Sequence, residues 1–310
     1  MEIRLHVILV CVSAEETNPA SNLISKVINI FKKMQIDESD IWTGSLNRTD
    51  KIDVSVREQF LREGYSIIRN AYDTQFIQDL FTAYRNEHSE KLNQEPTETT
   101  NLVGHNRRAF SLNIRASFND TKIYANQNVY PLVKDMLGED LIIGSYGSVV
   151  SMPKSNNQHV HYDHPRLFLD ADLEALSGNL PPYAIHLFIP LVEVNENNGR
   201  TRIWPGSHHL PSSKKDLLIK KGESMESDLN IGDCLILDYR TLHAGIGNKS
   251  SQIRPLIYVI YQRAWFRDQV NYTHHESLLI TEEELAKMPS QYRHLFSWKL
   301  DKYWGAMEKC

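Results

Sequence analysis

Gln158-His159-Val160-His161-Tyr162-Asp163 is the stretch whose reading decides this chain. In extended backbone, residues two apart point to the same face, about 6 to 7 Å from one another. His161 and Asp163 therefore share a face, with His159 beside them. Further along, Asp238-Tyr-Arg-Thr-Leu-His243-Ala-Gly245 brings a second candidate imidazole, delivered by the end of another strand. Two imidazoles and one carboxylate on one side of an ion leave the opposite positions open, which is the donor set of non-haem Fe(II) oxygenases. Arg254 follows His243 closely and is a candidate partner for an anionic co-substrate. A His-x-Asp triplet by itself arises by chance, and 13 histidines multiply accidental patterns, so order and spacing must carry the assignment.

Working outward, the flanking pattern is one of short apolar runs separated by turn residues. Strands are expected at 141–143, 146–152, 158–164, 183–194, 202–204, 234–238 and 255–262. Such a series indicates a β-sandwich or barrel. Helices are expected mainly before it. Leu23, Val27, Ile30, Phe31 and Met34 recur at helical spacing, so 21–35 reads as an amphipathic helix. A short helix from Val56 ends at Gly64 and leads into a strand at 65–68. Asp73 caps a helix over 74–88, with a polar loop expected from Glu87 to Thr100. Tyr130 to Leu137 is a further helix, stopped by Gly138. Thr281-Glu-Glu-Glu284 opens a helical tail as a capping box, followed by a helix around 291–298.

Composition sets limits. The 310 residues are 41% hydrophobic and 24% charged, ordinary for a soluble globular protein. A net charge of -5 argues against nucleic-acid or anionic-membrane partners. Cys11, Cys234 and Cys310 are too few and too scattered for a disulfide framework, so a reducing, cytoplasmic setting is expected. The apolar run within 1–14 is too short, and too compromised by Glu2, for a signal peptide. The expected organisation is an extension over 1–50 of unassigned role and one domain over 51–310 with a helical tail. A small-molecule substrate and a monomer or homodimer complete the expectation.

Five stretches together carry a resemblance. They are Gln59-Phe-Leu-Arg-Glu-Gly-Tyr65, Gln158 to Asp163, Asn198-Gly-Arg-Thr-Arg-Ile-Trp-Pro-Gly-Ser-His208, Gly232-Asp233, and His243-Ala-Gly-Ile-Gly-Asn-Lys-Ser250 followed by Arg254. Residues 56–265 thereby resemble the phytanoyl-CoA dioxygenase family of Fe(II)/2-oxoglutarate oxygenases. The resemblance implies a mainly β fold with flanking helices around a double-stranded β-helix, a cupin-like jelly-roll core. It implies that His161, Asp163 and His243 ligate Fe(II), that Arg254 pairs with the distal carboxylate of 2-oxoglutarate, and that O2 is the oxidant. Thr201 matches a threonine that hydrogen-bonds 2-oxoglutarate, and Gln158 a glutamine that reaches its metal-bound end. Asp163 occupies the position that halide-transferring relatives leave open, so hydroxylation or desaturation is favoured over halogenation.

Substrate class is read from what is missing. An acyl-CoA would need a basic groove for its phosphates. No dense Lys/Arg cluster adjoins the motifs, so a natural-product or amino-acid-derived metabolite is favoured, with acyl-CoA hydroxylation as the alternative. A non-catalytic metal- or ligand-binding barrel and a cupin-like isomerase are the readings from other classes. His186 reads either as a cavity residue or as a core histidine, and His159 as lying outside the ligand set. His208 reads as structural, and Trp204 and Trp265 as packing residues or as edges of the substrate pocket. Arg107, Arg108 and Arg115 read as a solvated face, with binding of an anionic substrate as the alternative if they point inward.

Overall fold

The computed structural model describes residues 53–93, 101–164, 167–168, 170–268, 270–272 and 276–300, all within the compact unit Asp50–Cys310. The readings at 1–14 and 21–35 lie outside the described residues, as does the second half, 94–100, of the loop expected from Glu87 to Thr100.

Helix α1 (Val54–Glu63) begins where Asp53 accepts from the backbone N–H groups of Ser55 at 3.0 Å and Val56 at 3.4 Å. It ends at Gly64, whose φ of 80° is the left-handed conformation that favours glycine. The Gly64 carbonyl accepts from Asp238 N at 2.8 Å and from the Thr241 hydroxyl at 2.9 Å, tying the helix end to the turn that precedes His243. A Cβ on Gly64 would lie 2.2 Å from Thr241 Oγ1 and 2.6 Å from His208 Nδ1. Gly64→Ala should therefore destabilise the fold by about 1–3 kcal/mol or more, from backbone strain and from the clash. Thermal unfolding reads this directly, and an unchanged midpoint would contradict the tight turn described.

Strand β1 (Tyr65–Ile68) leads to helix α2 (Thr74–Asn93). The helix runs past the expected end at 88, because His88 and Leu92 continue the buried stripe of Ile77, Leu80 and Tyr84. Strands β2 (Asn101–Leu102) and β3 (Arg107–Ser111) follow, then helix α3 (Tyr130–Leu137). Strand β4 (Ile142–Ser151) is one continuous strand where two were expected, and a register shift between Ile260 and Tyr261 of its partner absorbs the interruption. Helix α4 (Ala171–Ser177), β5 (Ala184–Pro190), β6 (Thr201–Ile203), helix α5 (Lys215–Lys221) and β7 (Met225–Ser227) come next. The chain then forms β8 (Cys234–Asp238), β9 (His243–Gly245), β10 (Arg254–Gln262) and the tail helix α6 (Glu282–Lys287). The Thr281 hydroxyl caps that helix by accepting from Glu284 N at 3.2 Å, the N-cap half of the expected capping box, and a short helix at His294–Ser297 follows it.

The fold is mainly antiparallel sheet with helices. A seven-stranded sheet has the order β1-β8-β5-β10-β4-β3-β2, and a three-stranded sheet the order β7-β6-β9. In the large sheet, Ile185, Leu187 and Ile189 of β5 and Ile257, Val259 and Tyr261 of β10 belong to the fully buried core with Phe60, Ile77 and Leu80 from the helices. Each such aliphatic side chain contributes roughly 1.5–3 kcal/mol by leaving water. The alternate residues, among them His186 and Phe188 on β5 and Arg254, Leu256, Tyr258 and Ile260 on β10, line a cavity. Both faces of the central strands are thus occupied, which is why 183–194 and 255–262 read as near-continuous apolar runs. Among the described residues, no helix is long and apolar enough to cross a membrane.

Candidate active site

His161 sits opposite His243 in a single antiparallel bridge, each backbone N–H donating to the other's carbonyl at 2.9 Å. The stretch 158–164, expected as a strand, is an extended segment held to the edge of the smaller sheet by this bridge and by Gln158 N donating to Gly245 O at 2.9 Å. Its short pairing suffices to place His161 and Asp163 on the same side as His243. The donor atoms of His161, Asp163 and His243 all lie within 4.8 Å of one another. Asp163 Oδ1 is 3.6 Å from His243 Nε2, and the two imidazole rings are 4.4 Å apart.

Both imidazoles are oriented alike. His161 Nδ1 meets His159 O, and His243 Nδ1 meets Thr241 O, each at 2.9 Å. A carbonyl can only accept, so each Nδ1 carries the proton and each Nε2 is left as a bare donor atom for a cation. Burial, and then the neighbouring His243, lower the pKa of His161 to about 4, so it is neutral near pH 7. For Asp163, burial opposes the charge. The imidazoles of His243, His186 and His161, with the hydrogen bond from His186, outweigh burial and hold the carboxyl well below its ordinary range. Two imidazole nitrogens and an anionic carboxylate converging on one point fit a divalent first-row ion. The Asp163 backbone is pinned as well, because Asn271 Nδ2 donates to its carbonyl at 2.7 Å.

The cavity that opens from this point has a volume of about 390 Å³. Gln158, His161, Asp163, Thr201, His243 and Arg254, the six candidate metal and co-substrate residues, all line it. Arg254 is 2% exposed, and its Nε has no hydrogen-bond partner. Among the described residues no carboxylate pairs with it. Burial, and then the charge of Arg107, push its pKa down to about 9. Thr201 on β6 pairs with Gly245 on β9. The Gln158 amide bridges two segments, donating to Val103 O and accepting from Gly245 N, both at 2.9 Å. The glycine at 245 is required here. A Cβ would lie 2.5 Å from Gln158 Oε1 and 2.8 Å from Arg107 Nη1.

The structure corrects one expectation about charge. Arg107 is not on a solvated face. It is 1% exposed on β3, lines the cavity, donates from Nε to Asn156 O at 3.2 Å and from Nη2 to Ile246 O, and burial lowers its pKa to about 10. Arg108 instead donates to the backbone at the end of α2, and Arg115 is exposed beside Glu87. Trp265, expected to pack, is 66% exposed, whereas Trp204 is buried. His208 and His209 both meet Leu61 O, at 3.2 and 3.0 Å, away from the converging donor atoms. Sequence reading did not single out Tyr239, Tyr258, Tyr272 or Asn271, which complete the cavity wall. Alternation in β10 flags Tyr258, but the loop residues carry no local signal.

The family model for phytanoyl-CoA dioxygenase (PhyH) matches residues 60–256. Among curated relatives, the dioxygenase aneA of Aspergillus aculeatus is 24% identical over 125 residues, 40% of this chain and 40% of that protein. The iron/alpha-ketoglutarate-dependent dioxygenase ausO of Aspergillus calidoustus is 31% identical over 113 residues, 33% of this chain and 36% of that one. The matches thus span well under half the length of these relatives. Among solved structures, the non-heme alpha ketoglutarate dependent epimerase SnoN from nogalamycin biosynthesis superposes with a TM-score of 0.51 at 19% identity, covering 70% of this chain and 84% of that one. At that identity the likeness speaks for the fold alone. The family match takes in β1 through the first residues of β10 and contains all six singled-out cavity residues, and on it the chain belongs to the phytanoyl-CoA dioxygenase family.

Proposed function

We propose that this chain is an Fe(II)- and 2-oxoglutarate-dependent dioxygenase that hydroxylates a C–H bond of a small molecule. The observation that carries this reading is Arg254, a buried cation with no carboxylate partner, opening into the same cavity as two imidazoles and a carboxylate. A buried unpaired charge is unfavourable unless a ligand completes it. The planar guanidinium suits the distal carboxylate of 2-oxoglutarate. His161, Asp163 and His243 hold the iron, with both Nε2 atoms already aimed by their backbone contacts. Thr201 supplies a hydroxyl to 2-oxoglutarate. Gln158 has one amide N–H left for the metal-bound end of the co-substrate, and it also fixes Gly245 beside it.

Iron with 2-oxoglutarate and O2, when bound, supplies the oxidant, in an overall reaction that gives hydroxylated product, succinate and carbon dioxide. The chain's own residues position and exclude. Phe188, Tyr239, Leu256, Tyr258, Ile260 and Tyr272 form a wall that keeps water from the reacting C–H bond. Among the described residues lining the cavity, Arg107 and Arg254 are the only Lys or Arg, so no further cations form a groove for phosphates. That disfavours an acyl-CoA and supports a tailoring reaction on a natural product or amino-acid-derived metabolite. SnoN, solved in complex with Fe3+, alpha ketoglutarate and nogalamycin RO, offers a parallel of that kind. The two sheets are taken as the halves of a double-stranded β-helix, within one domain over 51–310 that carries 1–50 as an extension.

The test is an anaerobic visible spectrum of the metal-free protein given Fe(II) and then 2-oxoglutarate. A weak charge-transfer band absent with iron alone, followed by succinate release with a suitable substrate, is the expected result. No band at saturating concentrations would return the protein to a binding barrel or an isomerase.

A further inference from the structure

His186 is a buried histidine for which the reading above has no use. It lies in the middle of β5, hydrogen-bonded between neighbours on both sides, with Ile260 of β10 and Leu237 of β8 as its register partners. Its side chain is 9% exposed. The ring stacks on Phe188, with centroids 3.8 Å apart at 30°, and meets the edge of Tyr258 at 5.4 Å and 84°. Such packing leaves the imidazole little freedom to turn. Its Nδ1 is 3.1 Å from Asp163 Oδ2, and its Nε2 is buried with no partner.

We propose that His186 is a positioning residue for Asp163, holding Oδ2 so that the carboxylate offers Oδ1 alone to the metal. The inference rests on the reading of His161, Asp163 and His243 as one metal site. A carboxylate is only an acceptor, so His186 donates from Nδ1. The two oxygens of Asp163 then have separate tasks. Oδ2 is taken by His186, while Oδ1 faces His243 Nε2 at 3.6 Å. Asn271 holds the backbone carbonyl of the same residue at 2.7 Å, so the aspartate is fixed at both ends. The unpartnered Nε2 strengthens the argument. An aliphatic or phenyl side chain would fill this apolar slot without burying an unsatisfied nitrogen. A histidine there is explained by the bond its other nitrogen makes. The chemical benefit is a free coordination position. A carboxylate gripping the ion through both oxygens would occupy one of the positions that 2-oxoglutarate and O2 require.

The test compares His186→Asn with His186→Gln in the metal-free full-length protein, titrated with Co(II) alone as a coloured substitute for iron. The asparagine amide nitrogen falls near the position of Nδ1, and that of glutamine near Nε2. His186→Asn is expected to keep Co(II) affinity within a few-fold of the wild type and to keep its visible spectrum. His186→Gln and His186→Phe are expected to bind about 10- to 100-fold more weakly, the usual effect of losing a group that orients a metal ligand. Their visible band should also change in intensity, reporting a changed coordination number. Equal affinity and equal spectra in all folded variants would overturn the proposal, as would an asparagine variant indistinguishable from the glutamine one. Asp163→Ala is the control that separates the two levels. If it binds Co(II) as the wild type does, the metal site itself is misassigned, whereas loss in Asp163→Ala with no effect at His186 removes only the positioning role.

Discussion

Asp163→Ala is expected to lose Fe(II) binding by more than about 100-fold, beyond the 10- to 100-fold typical of residues that merely orient a ligand. Turnover should disappear with it. Among the described residues Asp163 is the one anion facing the converging imidazoles, so its loss removes both a donor atom and the charge that favours a divalent ion. The fold should survive. The Asn271 contact is to the Asp163 backbone and remains, and the His186 Nδ1–H left behind costs about 1–3 kcal/mol as an unsatisfied buried donor. Metal-free wild type and variant should therefore unfold within a few degrees of each other, while Fe(II) raises the midpoint of the wild type alone. Full succinate formation by the variant would sink the iron assignment. His243→Ala is the companion variant and should behave in the same way.

Arg254→Leu is expected to weaken 2-oxoglutarate binding by roughly 30-fold to several thousand-fold, since truncating one partner of a buried charge pair costs about 2–5 kcal/mol. Arg254→Lys should recover only part of this, because an ammonium cannot present the two-pronged donor face that a carboxylate fits. The effect on the free protein has the opposite sign. Arg254 is 2% exposed and its Nε is unsatisfied, so replacing it with an apolar side chain removes an uncompensated buried charge. Without 2-oxoglutarate the leucine variant should be at least as stable as the wild type. With it, only the wild type should gain stability. Calorimetric titration and thermal unfolding with and without 2-oxoglutarate check both halves. Undiminished affinity in the leucine variant would exclude Arg254 as the carboxylate partner.

The places where sequence and structure part have physical causes. The pattern of short apolar runs corresponds to β1, β4, β5, β8 and β10 because alternation or continuous apolarity survives in each. Strands β2, β3 and β7 escaped: β2 and β7 are only two and three residues long, and β3, Arg107-Arg-Ala-Phe-Ser111, opens with two charges. Arg107 was misread for the same reason. Charged residues default to solvent, and nothing local shows that its partners, the carbonyls of Asn156 and Ile246, lie far along the chain. The extended stretch at 158–164 shows the converse. One bridge to His243 gives it the side-chain alternation of a strand without the ladder. His186 was visible as a histidine in an apolar run, but only the fold brings Asp163 to its Nδ1.

Strand β10 has a consequence for how such a protein could be retooled. Leu256, Tyr258 and Ile260 face the cavity, while Ile257, Val259 and Tyr261 pack under the helices. Because the two sets alternate, the shape of the binding wall can be altered one residue at a time without disturbing the hydrophobic foundation beneath it. The same arrangement forbids a change of length. Deleting a single residue within the strand would turn every later side chain over, sending foundation residues into the cavity and cavity residues into the core. New specificities in this scaffold are therefore reachable by substitution along this strand, whereas insertions and deletions belong in the loops at its rim.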